Sequence, residues 1–146
     1  MLRTMLAVLA GAALLAPGAA QAQDSRWERQ VRYQLNRAGD LLSDKGYGLS
    51  HELRWGTLDD DASEYFTLEL DAGRAYALLG VCDEDCTDLD LRLFDADGNE
   101  VDQDLETDDY PVVEVRPGRT AVYRVKVIMA TCSTSPCFYG VGVFAK

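Results

Sequence analysis

The chain has 146 residues, with 25 Asp and Glu against 14 Lys and Arg, a net charge of −11 and a single histidine. This acidity makes nucleic acid and anionic membrane surfaces poor partners, because both repel the net charge of the chain. The length leaves room for one domain with one sizeable core.

Arg3 precedes an apolar run from Met5 to Leu15, followed by Pro17-Gly18 and the small-residue pattern Ala20-Gln21-Ala22. That is the form of a secretory signal peptide, residues 1–22. The apolar run is too short for a membrane-spanning helix, which needs about 20 residues, and no later segment is apolar enough, so membrane insertion is not expected. Without a cysteine near the cleavage point or a second arginine beside Arg3, neither a lipid anchor nor a twin-arginine route is indicated. Cleavage after Ala22 would release the rest into a bacterial periplasm or the external medium.

Beyond Ala22 the residues Trp27, Val31, Leu35, Ala38, Leu41 and Leu42 recur at helical spacing, with Arg26, Arg29, Arg32 and Arg37 on other faces. The spacing predicts an amphipathic helix from about Ser25 to Ser43, within a segment 23–48, whose apolar stripe packs on the domain. Asp24 or Ser25 can cap its start, and Lys45-Gly46 places a cation and a residue tolerant of positive φ at its end.

From Leu49 the period changes to two. His51, Leu53 and Trp55 alternate with Glu52 and Arg54, and Phe66, Leu68 and Leu70 alternate with Thr67 and Glu69 before the turn Asp71-Ala72-Gly73. Ala75 to Val81 is continuously apolar and reads as an interior strand. Leu89, Leu91 and Leu93 alternate with Asp90 and Arg92 up to the turn at Asp97-Gly98-Asn99. Val112 to Val115, Tyr123 to Met129 and Phe138 to Phe144 complete the set. Strands joined by short Gly, Pro and Asp turns, with no helix between them, predict a mainly-β fold, an antiparallel β-sandwich with one N-terminal α-helix.

The stretches Phe66-Thr67-Leu68-Glu69-Leu70-Asp71-Ala72-Gly73-Arg74-Ala75-Tyr76, Asp88-Leu89-Asp90-Leu91, Val122-Tyr123-Arg124-Val125-Lys126-Val127 and Tyr139-Gly140-Val141-Gly142-Val143 resemble the bacterial pre-peptidase C-terminal (PPC) domain. The resemblance covers residues 49–146 and leaves out the helix. It implies a jelly-roll-like sandwich serving as an accessory module in secretion, folding or substrate attachment, and some collagen-binding relatives use calcium. The chain departs from the pattern in its own leader, in having no peptidase domain ahead of the sandwich, and in both cysteine pairs.

An exported chain is expected to oxidise its four cysteines. Of three possible connectivities, proximity favours Cys82–Cys86 with Cys132–Cys137, while cross-linking of the two loops stays open. The spacings C-x3-C and C-x4-C in an oxidising compartment argue against zinc on four thiolates. Asp83, Glu84, Asp85, Asp88 and Asp90 carry enough oxygen to hold a calcium ion on a stapled loop, and calcium is the one candidate ion in a fold that requires no cofactor. Asp95, Asp97 and Asn99 lack the spacing and terminal Glu of an EF-hand and read as a turn.

Catalysis finds little footing. His51 is the lone histidine and lacks the partner that a zinc protease needs, and no G-x-S-x-G turn exists. Trp55, Tyr110 and Tyr139 are the aromatics placed to stack on sugar if exposed. The expectation is a monomeric, non-enzymatic binding or accessory module for an extracellular or periplasmic protein or glycan, with its recognition surface at the Cys82–Asp90 and Cys132–Cys137 loops. The alternatives are a calcium-stabilised structural or adhesion domain and a small hydrolase.

Overall fold

The computed structural model describes residues 19–146, with side chains from Arg26 onward. The apolar run of the predicted signal peptide, Met5 to Leu15, lies outside the described residues. Helix α1 (Ala19–Ser43) is followed by β1 (Gly48–Leu49), β2 (Arg54–Leu58), β3 (Ser63–Leu70), β4 (Tyr76–Cys82), β5 (Cys86–Phe94), β6 (Glu100–Asp104), β7 (Val112–Val115), β8 (Ala121–Cys132) and β9 (Cys137–Ala145). One sheet runs β1-β9-β4-β7, with β2 also on β9 beyond β1, and the other runs β3-β8-β5-β6. Every pairing is antiparallel. The fold is a β-sandwich with a single helix.

The core follows from alternation. On β8, Tyr123, Val125, Val127 and Met129 point inward and are buried, while Val122 and Arg124 between them are exposed. Such a strand has one wet face. β4 and β9 are buried at almost every position, because α1 lies across their outer face. There Val31 and Leu35 form a second apolar cluster with Val81. The helix approaches closely because β9 turns glycines toward it. A Cβ on Gly140 would stand 2.6 Å from Val31 Cγ1 and 2.9 Å from Leu35 Cδ1. We call this the covered sheet and its partner the open sheet.

Three sequence expectations are corrected. The helix is already formed at Ala19, the first described residue and six ahead of Ser25, and runs through the predicted cleavage point, in keeping with the helix propensity of Ala and Gln. It ends as expected, with Gly46 at φ 84° and the Tyr47 N–H donating to Leu42 O at 3.1 Å. The strand read through His51 is broken between β1 and β2. Ser50 N and Oγ both donate to Val143 O, at 2.9 and 3.0 Å, and His51 Nε2 meets Glu69 O at 2.9 Å, so this segment straps one sheet to the other instead of pairing. Finally, the sequence reading has no strand at β6.

Candidate functional site

Each disulfide links the two sheets. Cys82–Cys86 joins the end of β4 to the start of β5, and Cys132–Cys137 joins the end of β8 to the start of β9. Cys86 stands opposite Cys132 in the open sheet, so the bridges close the same end of the sandwich side by side. The local pairing is the one that proximity favours. Rings this short stabilise by about 2 kcal/mol each in the chain-entropy model.

The five carboxylates of the predicted calcium loop do not converge. Asp83 is buried at 1% exposure and is used up as a splint: its Oδ2 accepts from Phe138 N at 2.8 Å and its Oδ1 from Asp85 N at 3.2 Å. Burial pushes its carboxyl above the usual aspartate range, against the opposing pull of those amides. Glu84 pairs with Arg26 of the helix. Asp85 holds Ser133 through its carbonyl, at 2.8 Å to N and 2.9 Å to Oγ. Asp88 and Asp90 lie further on, along β5. Among the described residues no group of three or more His, Cys, Asp and Glu is arranged to hold a metal ion.

Asp88 and Asp90 belong instead to a repulsive cluster. Desolvation raises both, with Asp108 adding to the effect at Asp88, and Asp88, Asp104 and Asp108 adding to it at Asp90. Asp88 Oδ1 is buried without a hydrogen-bond partner. Nearby, two aspartates of β6 do a job that no periodicity announces. Asp104 Oδ2 accepts from Val112 N at 2.8 Å, and Asp102 Oδ2 accepts from Glu114 N at 2.7 Å. Residues two apart on β6 thus satisfy amides two apart on β7. Carboxylates thus take up two backbone amides of β7, the edge strand of the covered sheet.

A mainly apolar concavity lies elsewhere, between α1 and β7. Its volume is about 630 Å³, and it is lined by Tyr33, Ala38, Leu41 and Leu42 on the helix side and by Ala77, Leu79, Tyr110 and Val112 below. Leu41 and Tyr33 are 65% and 62% exposed, although the predicted stripe placed Leu41 against the domain. Arg37 and Lys45 border the groove on the helix side, with Glu114 on the strand side. At one point the groove is bridged by Gln34 Nε2, which donates to Tyr110 Oη at 3.3 Å, while Gln34 Oε1 is buried without a partner. The signal in the sequence is a second helical row: Gln34, Ala38 and Leu41 recur at steps of four and three, one residue round the helix from the row of Trp27, Val31 and Leu35.

His51 is bonded through Nδ1 to Ser50 Oγ at 2.9 Å and through Nε2 to the Glu69 carbonyl. Both of its nitrogens are therefore engaged in holding the strap. Trp55 lies under the Arg32 guanidinium, and Tyr139 is buried with its hydroxyl on Glu64, so these two aromatics do not form a common platform with Tyr110.

No family model and no curated protein matches the chain. Among solved structures it is similar to the pre-peptidase C-terminal domain of a collagenase from Bacillus anthracis. The identity is 12%, the match covers 63% of this chain and 87% of that one, and the TM-score is 0.51. The likeness is one of fold: this chain is a PPC-like β-sandwich.

Proposed function

We propose that the chain is an exported, non-catalytic binding module of the PPC kind, whose groove between α1 and β7 receives the apolar face of an amphipathic helix from a partner protein. The observation that carries this reading is the uncovered strip of the covered sheet. Strands lie about 4.8 Å apart and a helix is about 10 Å across, so one helix shields two strands. In the sheet order β1-β9-β4-β7 α1 packs chiefly on β9, and the groove beside it is floored by Ala77 and Leu79 of β4 and by Val112 and Glu114 of β7, two strands in width. Addition of a strand at β7 is disfavoured, since Val112 N and Glu114 N are already bound. Arg37 and Lys45 call for acidic residues on the flank of the incoming helix that faces α1. The leader pattern and the two disulfides support export.

The test is a panel of amphipathic helical peptides with acidic flanks, each paired with a scramble of the same composition, titrated while backbone amide resonances are followed. Binding with shifts centred on Leu41, Ala77 and Leu79, weakened at least about tenfold by Leu41→Glu, supports the reading. Equal binding of the scrambles, or shifts elsewhere, overturns it. Export predicts that the protein recovered outside the cytoplasm begins at Gln23.

A second reading, a calcium-stabilised domain, rests on the unpartnered Asp88 Oδ1 within charge range of Asp90 and Asp108, and it requires these carboxylates to draw together around the ion, since no three among the described residues are so arranged. It predicts a melting temperature raised by calcium beyond the effect of magnesium. Coincident curves would end it.

A further inference from the structure

The outer face of the open sheet carries cations where pairing rules alone would not place them. Lys126 on β8 stands directly opposite Arg92 on β5, and like charges so opposed destabilise a sheet. Two residues along β8, Arg124 stands opposite Phe94, and β3 places Tyr65 opposite Lys126 on its other side. Arg92 has a partner, Glu100 Oε2 at 2.6 Å. Arg124 and Lys126 have no carboxylate in ion-pair reach among the described residues. They lie against aromatic rings instead. The Arg124 guanidinium is 5.0 Å from the Tyr65 centroid and 5.4 Å from that of Phe94, and Lys126 Nζ is 5.6 Å from Tyr65. Tyr65 is itself 51% exposed. An acidic chain thus presents three clustered cations, two of them without an ion-pair partner, around an accessible ring, with Asp90 at the border of the group two residues before Arg92.

We infer that this face binds an acidic polysaccharide. Its carboxylate or sulfate groups meet Arg124, Lys126 and Arg92 through charge-assisted hydrogen bonds, and the apolar side of a sugar ring lies on Tyr65. Binding anionic lipid takes about four to eight clustered cations, and specific nucleic-acid contacts typically neutralise about six to ten phosphates. Three cations in a chain of charge −11 fall short of both. They suit an extended polymer whose charges are spaced by rings, which a broad flat sheet can follow.

The experiment measures affinity for polygalacturonate and for dextran sulfate, which separate uronate from sulfate as the source of charge, at about 50 mM salt. Neutral dextran and polyglutamate serve as controls. The expected result is binding of at least one acidic polysaccharide, none of dextran and much weaker binding of polyglutamate. Arg124→Gln with Lys126→Gln should lower affinity at least about tenfold with the melting temperature unchanged or raised, since the opposition to Arg92 is relieved. Tyr65→Ser should lower it several-fold, and Leu41→Glu in the groove should leave it alone. No binding of either polysaccharide, equal binding by the double variant, or equal binding of polyglutamate would overturn the inference. None of these results bears on the groove.

Discussion

The covered sheet and the open sheet are each four strands across and share one core, yet their outer faces are built on different rules. On β9 the outward positions are Phe138, Gly140, Gly142 and Phe144, a surface shaped to let Val31 and Leu35 of the helix come close. On β8 the corresponding positions are Val122, Arg124, Lys126 and Ile128, with nothing laid over them. Small residues make a bed for a helix, and charged or aromatic ones face water and solutes. The difference teaches that the outward residues of a strand report what covers it, while its inward residues report only that a core exists.

Breaking the cover should produce the largest effect. Leu35→Ala empties a site at 2% exposure and should cost about 2–5 kcal/mol. Gly140→Ala forces the helix outward, and undocking is read as a lowered melting temperature with a red shift of Trp27 emission. Val122→Thr on the open sheet should stay within about 0.5 kcal/mol, and an equal loss there would erase the contrast. Next comes the splint. Asp83→Ala leaves the Phe138 N–H buried without its carboxylate and should cost about 1–3 kcal/mol, measured by denaturant unfolding. Asp102→Ala with Asp104→Ala should cost about 1 kcal/mol for each bond and make the protein associate at high concentration, seen by light scattering. The smallest effect sharpens the comparison by pH. Asp88 and Asp90 sit above the usual aspartate range when folded, so the folded state holds the extra protons. Their contribution to stability is therefore fully present below the ordinary aspartate value and is lost as pH rises through the raised one. Asp88→Asn should flatten that fall and raise the melting temperature slightly at neutral pH.

Much of this architecture was written in local pattern. The alternation in β3, β5 and β8, the continuous apolar run of β4, and the turns at Gly73 and Gly98, which sit at φ 80° and 86°, follow from side-chain period and from glycine's tolerance of positive φ. β6 was hidden because its inward residues are Asp102 and Asp104, which face backbone amides and not the core, so Glu100 to Asp104 shows no apolar alternation. His51 misled for the opposite reason: the alternation His51, Leu53, Trp55 is present, but hydrogen bonds to Val143 and Glu69 take the segment out of the ladder. The calcium loop could not be judged from composition, since oxygen ligands must converge and Asp83 is turned inward onto Phe138 N. The groove depends on how far α1 reaches across the sheet, a distance that no single strand encodes.

The two aspartates of β6 that bind the β7 amides have one more consequence, for discrimination. An open sheet edge binds through the main chain, which is the same in every protein, and so accepts any extended segment that arrives. With Val112 N and Glu114 N already occupied, this edge has lost the two donors on which that indiscriminate grip would draw. Whatever adheres beside it must be recognised by its side chains, so its sequence, and not merely its readiness to form a strand, decides whether it stays.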